Sequence, residues 1–377
     1  MTGPAGTGPT GTGPVGVGII GAGVISTQYL QVLTTFPDVV VHFIADLDLE
    51  RAAAQAAAFG VPGHGSVAEL LTRDEVEIVV NLTIPAAHVE VGLQVIEAGK
   101  HVWSEKPFAL DRESGRRLLA AASARGLRAA CAPDTFLGAG LQSAQRLIEG
   151  GRLGSPVSAL AIMQSAGPEL WHPNPEFLFG VGAGPLFDMG PYYLTALVQT
   201  FGPIARVSAS SSTARSHRTI GSGPRAGTVF PVEVPTQHDA LIEFESGATA
   251  VLVLSFESAI RRTLLEITGT DAAAALPDPN GFDGATALFE PADGEPTLIP
   301  EAGPAFGRGM GVLDLARSIR AGVPERASGA LAFHVLDAMI SISEAAQSGA
   351  WVEVETTVER PRAVPSDWDP AAATLGG

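Results

Sequence analysis

This sequence of 377 residues has a single cysteine, few aromatic residues and no long uninterrupted apolar run. Cys131 cannot form a disulfide within the chain, and its place in the apolar run 127–132 predicts a buried, inert thiol. No window reaches the roughly 18 consecutive apolar residues of a membrane span. The first residues also lack the basic region and apolar run of a secretory signal. We therefore expect a cytoplasmic protein.

Basic residues are also scarce, since 23 Lys and Arg stand against 40 Asp and Glu, for a formal net charge of -17. Nucleic acids and anionic membranes require a basic surface, so we expect neither as a partner. The histidines, His88 and His334 among them, show no cluster with metal-ligand spacing, and we expect no metal. A small molecule fits this composition better as the ligand.

The apolar content of 46% is enough for two domains, each with its own core. Residues 1–14 repeat Gly, Pro and Thr and are predicted to be a disordered tail. From Val15 onwards, short apolar runs alternate with helical segments, the pattern of a parallel sheet with crossover helices. We predict a doubly wound domain over 15–131, with strands at Val15–Ile20, Val39–Ala45, Ile78–Leu82, His101–Trp103 and Arg128–Cys131.

A second domain is predicted over 132–360, where strands follow one another without intervening helices. In the segment 237–245, Ala240, Ile242 and Phe244 alternate with polar residues, as in an antiparallel strand. We expect this apolar face of the open sheet to need cover from another copy of the chain. The fold class is therefore an α/β Rossmann domain plus an α+β domain with an open, mainly antiparallel β-sheet. Residues 361–377 are predicted to be a C-terminal tail.

The first predicted strand leads into a glycine-rich turn, Gly21-Ala22-Gly23-Val24-Ile25-Ser26, which matches G-x-G-x-x-G/A with serine at the third small position. Such a turn lets the backbone approach a pyrophosphate at a helix N-terminus. Asp46 ends the second strand, where a carboxylate can bind ribose hydroxyls and oppose a 2'-phosphate, so NAD is expected over NADP. Asp48 is predicted mainly to cap the following helix.

A linked series of motifs then becomes recognisable. It comprises Asn81-Leu82-Thr83-Ile84-Pro85 with His88, then Glu97-Ala98-Gly99-Lys100-His101-Val102, then Glu105-Lys106-Pro107. The sequence resembles the Gfo/Idh/MocA family, named for glucose-fructose oxidoreductase, inositol dehydrogenase and rhizopine catabolism, from about Val15 to about Arg360. The resemblance implies a Rossmann domain followed by an open sheet, and a homodimer or homotetramer that pairs through that sheet.

The resemblance also implies site residues. Lys106 would reach the nicotinamide and the reacting hydroxyl, and an ammonium suits this role because it can donate to a developing alkoxide. The family's D-x-G-x-H setting falls on Asp188 to Tyr192, with Tyr192 where histidine is common and where some branches use tyrosine. An aromatic core helix is the alternative for Tyr192. The cofactor-binding residues are predicted to be Gly21, Gly23, Val24, Ile25, Asp46, Thr83, Pro85, His88, Glu105 and Lys106.

Upstream of this motif lies a proline-rich loop, Trp171-His172-Pro173-Asn174-Pro175. Loops on a rigid scaffold often carry binding groups, so His172 and Asn174 are candidates for contacts with substrate hydroxyls. A structural or oligomer-contact role for the loop stands equally open.

The sequence thus predicts an NAD-dependent oxidoreductase that transfers a hydride to or from a carbinol or carbonyl carbon of a sugar, polyol or cyclitol. One alternative is a redox-assisted glycosidase that uses tightly held NAD, as some relatives do. Another is an NAD-binding sensor without catalysis, although such a protein would have no use for Lys106 and Asp188.

Overall fold

The computed structural model of the protein describes residues 11–291, 294–303 and 306–376. Within them the chain forms two compact units. The first contains the described residues up to Gly138, Gly303–Phe333 and those from Val364 onwards, and the second contains Ala139–Ala302 and His334–Ala363. The sequence pattern predicted two continuous domains, whereas the first unit is built from three separate stretches of chain.

The first unit is centred on a sheet of six parallel strands. The strands are β1 (Val15–Ile20), β2 (Val39–Ala45), β3 (Gly63–Gly65), β4 (Ile78–Asn81), β5 (His101–Ser104) and β6 (Ala129–Cys131). Their spatial order, β3-β2-β1-β4-β5-β6, is that of a doubly wound Rossmann sheet, so the predicted fold class is confirmed for this unit. Cys131 is buried in β6, as the sequence predicted.

Helices connect the strands and cover the sheets. In the described residues they are α1 (Val24–Leu33), α2 (Leu49–Phe59), α3 (Val67–Leu71), α4 (His88–Glu97), α5 (Arg112–Ala124), α6 (Ala139–Glu149), α7 (Gly184–Phe201), α8 (Met310–Ala321) and α9 (Gly329–Ser348). One of them, α9, is long and apolar enough to cross a membrane by length and composition, but about 67% of its apolar window is buried inside the protein. Buried core helices of globular proteins can be equally long and apolar.

A buried carboxylate attaches the stretch that carries α8 to the Rossmann sheet. Asp134 is fully buried, and its Oδ2 accepts the backbone N–H of Gly309 at 2.8 Å and of Gly311 at 3.0 Å. The indole of Trp103 lies so close to Gly311 that a Cβ there would overlap the ring. This return of the chain therefore depends on contacts far apart in sequence.

The two chain ends also contact the first unit. Residues 1–10 of the predicted N-terminal tail lie outside the described residues, and Arg320 Nε donates to the carbonyl of Gly13 at 3.1 Å. The buried Asp38 carboxylate accepts the N–H groups of Thr374 at 2.8 Å and Leu375 at 2.9 Å. The segment predicted to be a C-terminal tail is thus held by specific hydrogen bonds in its described part.

The second unit contains a nine-stranded sheet in which every neighbouring pair is antiparallel except β7 and β12. The strands of this unit are β7 (Pro156–Gln164), β8 (Ile204–Ser212), β9 (His217–Thr219), β10 (Val229–Pro231), β11 (Gln237–Phe244), β12 (Thr249–Ser255), β13 (Arg262–Gly269), β14 (Ala273–Ala275), β15 (Thr286–Phe289), β16 (Thr297–Ile299) and β17 (Val352–Glu353). Strands β9 and β10 form a separate two-stranded ribbon. The mainly antiparallel sheet confirms the predicted class of the second domain.

One detail of that prediction was wrong. We expected Ala240, Ile242 and Phe244 to present an apolar face in need of a partner, but they are only 4%, 0% and 3% exposed. Helix α7 packs against β7, β11 and β12 and buries this face inside the unit. The face that remains open carries Leu241 and Val251, which are 52% and 40% exposed.

Candidate cofactor and active site

The glycine turn after β1 has the geometry that its sequence requires. Gly21 has φ +105°, and a Cβ there would lie 2.7 Å from the carbonyl oxygen of Leu82, so both conformation and space demand glycine. At Gly23, by contrast, a Cβ would meet no described atom within 4 Å. The open side of the turn is therefore at the N-terminus of α1, where a helix binds an anion.

Ser26 occupies the third small position of the motif. It is fully buried, and its hydroxyl donates to the carbonyl of Gly23 at 2.6 Å and accepts Gln55 Nε2 at 2.8 Å. A serine therefore replaces the usual small residue here by joining α1 to α2 through hydrogen bonds.

Asp46 lies beside the turn, at the end of β2. Its Oδ2 accepts the N–H of Ala22 at 2.7 Å, and its Oδ1 accepts the N–H of Asp48 at 2.9 Å. A carboxylate has about four lone-pair positions, so two hydrogen bonds leave acceptor capacity for ribose hydroxyls. Asp48 caps α2 by accepting the N–H of Arg51, which confirms its predicted role.

Three exposed apolar side chains lie close in sequence to the carboxyl ends of β1, β2 and β4. Val24 is 90% exposed, Leu47 is 98% exposed and Ile84 is 69% exposed. Since these three strands are neighbours in the sheet, the side chains share one edge. Neither Leu47 nor Ile84 was predicted as a site residue, although an apolar residue just after a Rossmann strand can offer a surface that a planar ring covers.

The turn after β4 is organised by Asn81, which is fully buried. Its Oδ1 accepts the Thr83 hydroxyl at 2.7 Å, and its Nδ2 donates to the carbonyl of His88 at 3.0 Å. The side chain thus fixes the predicted cofactor-binding residue Thr83, and the start of α4, relative to β4.

His88, a predicted cofactor-binding residue, is buried at the start of α4. The residue is 1% exposed, with Nδ1 at 2.8 Å from the carbonyl of Pro107 and Nε2 at 3.0 Å from that of Thr83. Burial lowers the pKa of the imidazole despite these two carbonyls. Because both ring nitrogens contact the backbone, His88 acts by joining two turns.

Lys106 follows β5 in a loop that is anchored on both sides. The N–H of Glu105 donates to the carbonyl of Asn81 at 3.0 Å, and Pro107, joined to Lys106 by a cis peptide bond, offers its carbonyl to His88. The Glu105 carboxylate is also used internally, since Oε1 accepts the hydroxyl of Tyr29 at 2.8 Å and Oε2 the N–H of Lys106 at 3.1 Å. Tyr29 was missed by the sequence analysis, because nothing in the motif pattern points to it.

In the second unit, Asp188 and Tyr192 lie four residues apart on α7 and therefore on one face of that helix. Asp188 is partly buried, and Tyr192 is only 4% exposed. Gly190 lies between them, and a Cβ there would be 3.3 Å from Met339 Sδ and 3.6 Å from a methyl of Leu254. The glycine of this motif thus lets α7 approach α9 and β12 closely.

The proline-rich loop of the second unit is ordered around His172. Its ring contacts Trp171 and Phe177 edge-on, with centroid distances of 5.6 and 5.4 Å, and its Nδ1 accepts the N–H of Asn174 at 3.0 Å. Trp171 and Phe177 are 67% and 59% exposed. His172 and Asn174 therefore lie together beside an exposed aromatic surface.

Beneath this loop lies a buried ion cluster that the sequence did not reveal. Arg218 pairs with Glu169 and, at 2.7 Å, with Glu257, and its guanidinium lies 5.2 Å from the ring centre of Phe179. The Arg218 side chain is 1% exposed, and hydrogen bonds between charged groups are stronger than those between neutral groups. These ion pairs therefore hold Glu169, at the base of the loop, to Arg218 and Glu257.

The strand order, the glycine turn and the carboxylate beside it define a dinucleotide-binding Rossmann protein. Comparison with known proteins is more specific. The family model "Oxidoreductase family, NAD-binding Rossmann fold" matches residues 15–132, and the model "GFO/IDH/MocA C-terminal domain" matches residues 141–275. The chain belongs to the Gfo/Idh/MocA oxidoreductase family.

In the residues that the structure describes, no group of three or more His, Cys, Asp or Glu could hold a metal ion.

Curated relatives match over part of their length. An uncharacterized oxidoreductase of Rhizobium meliloti is 30% identical over 63% of this chain and 66% of its own. Inositol 2-dehydrogenase 3 of Saccharopolyspora erythraea is 33% identical over 34% of this chain and 39% of its own. The dTDP-3,4-didehydro-2,6-dideoxy-alpha-D-glucose 3-reductase of Streptomyces antibioticus is 34% identical over 45% and 52%. The chain thus spans from about two fifths to just under two thirds of these proteins.

Solved structures match over nearly their whole length. An NAD binding oxidoreductase from Klebsiella pneumoniae has a TM-score of 0.79 at 23% identity, over 90% of this chain and 99% of its own. A levoglucosan dehydrogenase in complex with NADH and L-sorbose has a TM-score of 0.77 at 20% identity, over 91% and 100%. At these identities the likeness shows that the fold is shared.

Proposed function

We propose that this chain is an NAD-dependent oxidoreductase that interconverts a carbinol and a carbonyl carbon of a sugar, polyol or cyclitol. One observation carries the proposal. Asp46, the glycine turn, the Thr83 turn and Lys106 follow β2, β1, β4 and β5, which are consecutive neighbours in one parallel sheet. Ligands of such sheets bind outside the carboxyl ends of the strands, where the strand order reverses.

The residues present fit a dinucleotide. The open side of Gly23 at the start of α1 suits a pyrophosphate, and Asp46 suits the ribose hydroxyls. Leu47 and Ile84 offer apolar surface for an aromatic base. The bound cofactor would supply the hydride acceptor or donor.

NAD is proposed over NADP because Asp46 and Asp48 are both negative where a 2'-phosphate would add charge. Asp46 is fixed by two backbone hydrogen bonds, at 2.7 and 2.9 Å, so it cannot easily turn away. Repulsion between fixed like charges near a protein surface is worth about 1 to 3 kcal/mol.

Lys106, Asp188 and Tyr192 are proposed to handle the proton of the reacting hydroxyl. The Lys106 ammonium would donate to the oxygen as negative charge develops on it, and a carboxylate or phenol would exchange the proton. His172 and Asn174 are proposed to contact other substrate hydroxyls. Support for a sugar-like substrate comes from relatives named as an inositol dehydrogenase, a deoxysugar-nucleotide reductase and a 1,5-anhydro-D-fructose reductase.

A homodimer or homotetramer is proposed through the open face of the nine-stranded sheet. Leu241, Val251 and Leu160 are directly paired across β11, β12 and β7, so their side chains form one row. Val253, Ile162 and Leu264 form the next row across β12, β7 and β13. A contiguous apolar surface of this kind is typical of a protein interface.

A cytoplasmic location is also proposed, from the single buried cysteine and the acidic composition.

A panel of sugars, polyols and cyclitols, each tested with NAD by absorbance at 340 nm, tests the proposed function. We expect net NADH formation with at least one member of the panel. A parallel arm with aryl glycosides detects cleavage without net NADH, which would favour a redox-assisted glycosidase. Tight NAD binding with neither reaction would favour a sensor.

A further inference from the structure

A buried chain of hydrogen bonds connects α1 to the Lys106 loop through Tyr29. Tyr29 is fully buried on α1, five residues after the helix begins. Its hydroxyl accepts Trp103 Nε1 at 3.0 Å and donates to Glu105 Oε1 at 2.8 Å. The other oxygen of Glu105 accepts the backbone N–H of Lys106 at 3.1 Å.

The direction of this chain is fixed by chemistry. An indole N–H can only donate, so the tyrosine oxygen must accept it and direct its own proton towards Glu105. Burial, followed by the charges of Glu105 and Asp134, raises the pKa of Tyr29 well above its usual value, so the phenol remains a donor. Glu105 is 8% exposed, and a carboxylate at that depth needs its hydrogen bonds.

This series of hydrogen bonds ends at the backbone N–H of Lys106. Glu105 holds the N–H on one side of Lys106, and His88 holds the carbonyl of Pro107 on the other at 2.8 Å. His88 also contacts the Thr83 turn at 3.0 Å, and Tyr29 belongs to the helix that begins at the glycine turn. The two elements proposed to bind NAD are therefore the same two that hold Lys106.

We propose that Tyr29 is a positioning residue for Lys106, acting through the Glu105 carboxylate and touching neither cofactor nor substrate. The inference rests on the proposed function of Lys106, but it concerns the placement of the lysine and can be tested without turnover. Tyr29→Phe removes one oxygen, leaves Trp103 without its acceptor and frees Glu105 Oε1.

The composition of the chain makes the test sharp, since Lys100 and Lys106 are its only lysines. Lys100 is 7% exposed, and its Nζ donates to the carbonyls of Arg73 at 2.6 Å and Val76 at 2.8 Å. Lys106 is more exposed. Brief acetylation with acetic anhydride, read by mass spectrometry as the ratio of Lys106 to Lys100 labelling, therefore reports the environment of Lys106 with Lys100 as internal reference.

The matched control is Tyr193→Phe, which removes a phenol oxygen from another fully buried tyrosine, in the second unit. We expect the labelling ratio to rise about threefold or more in Tyr29→Phe and to stay unchanged in Tyr193→Phe, because a loosened loop exposes Lys106. The dissociation constant for NADH, from its fluorescence, should change less than about threefold. Where a substrate is found, kcat should fall about tenfold or more with little change in KM, the usual mark of a misplaced acid/base group.

A labelling ratio in Tyr29→Phe equal to that of the wild type would overturn the inference, whatever the activity of the enzyme. If Tyr29→Phe does not fold, Glu105→Gln provides the same test. In the same side-chain position, the amide NH2 replaces one of the two oxygens and cannot accept, so the hydrogen bond from either Tyr29 or Lys106 is lost. It should raise the ratio in the same direction, and no change in it would also count against the inference. A raised ratio in a protein that oxidises no sugar would leave the positioning role intact and remove the proposed function.

Discussion

The carboxylate of Asp46 accepts a hydrogen bond of 2.7 Å from the backbone N–H of Ala22, which lies between the two glycines of the turn. This contact joins the end of β2 to the turn after β1 and fixes a negative charge there. The proposed preference for NAD over NADP rests on this fixed charge.

The first prediction therefore concerns the choice of cofactor. The wild type should bind NADH more tightly than NADPH, by a factor that corresponds to about 1 to 3 kcal/mol. Asp46→Ser should reduce this preference about tenfold, because the charge is lost while a hydrogen-bonding group remains. Fluorescence titrations with both cofactors measure it. Equal or tighter binding of NADPH by the wild type would remove Asp46 from its proposed role.

The second prediction concerns α7. Tyr192→Phe should lower kcat by about 100-fold or more if the phenol relays a proton, since the ring still fills its space. A buried tyrosine with only a packing role would leave turnover nearly unchanged. Asp188→Asn decides the role of the carboxylate, because the amide keeps the shape but holds no charge. Full activity of that variant would make Asp188 a structural or substrate-orienting residue.

The third prediction concerns assembly. Leu241→Glu places a charge in the apolar surface of the open sheet face, where burial of an unpaired carboxylate is costly, and should dissociate the oligomer. Val323→Glu, at an exposed apolar residue of the first unit that is 49% accessible, is the control and should not. Light scattering should give a mass above 38.7 kDa for the wild type and the control. A wild type found only at the mass of one chain contradicts the proposed interface.

The fourth prediction concerns the C-terminal segment. Asp38 is 1% exposed and accepts Arg317 Nε at 2.8 Å in addition to the N–H groups of Thr374 and Leu375. Burial would raise the pKa of Asp38, but these hydrogen bonds together lower it, so the ionised form is the stable one. Asp38→Ala should lower the free energy of unfolding by about 2 to 4 kcal/mol, because several donors around this buried carboxylate lose their acceptor.

Asp48→Ala is the control for that change, since it removes an exposed helix cap and should lower the free energy of unfolding much less than Asp38→Ala does. Denaturant unfolding measures both. Limited proteolysis should also cut Asp38→Ala after Val364 sooner than the wild type. Equal stability of the two alanine variants would mean that the C-terminal segment contributes little to the fold.

Much of the first unit could be predicted because buried parallel strands are continuous apolar runs. Strand β3, Gly63–Gly65, escaped because it has three residues, two of them glycine, and no apolar side chain to signal a strand. The return of α8 to this unit depends on Asp134 accepting the N–H groups of Gly309 and Gly311. No local pattern records such a contact across about 175 residues of chain.

In the second unit, the period of two showed which residues share a face but not which face is covered. The covered face is the one that packs against α7, with Ala240, Ile242 and Phe244, whereas Leu241 lies on the other face. Where α7 packs is decided by tertiary structure, which the local pattern of the strand does not show. The candidate site divides in the same way. Motif residues such as Gly21 and Lys106 could be found by spacing, whereas Tyr29 and Arg218 act through buried partners that are distant in sequence.

The most direct test of the central claim compares Lys106→Met with the wild type on whichever substrate the panel identifies. The variant keeps the glycine turn and Asp46, so the dissociation constant for NADH should change less than about threefold. Its kcat should fall about 100- to 10,000-fold, or about 3 to 5 kcal/mol of transition-state stabilisation. A variant that reduces NAD at the wild-type rate, or that loses cofactor affinity in proportion to rate, would contradict the account.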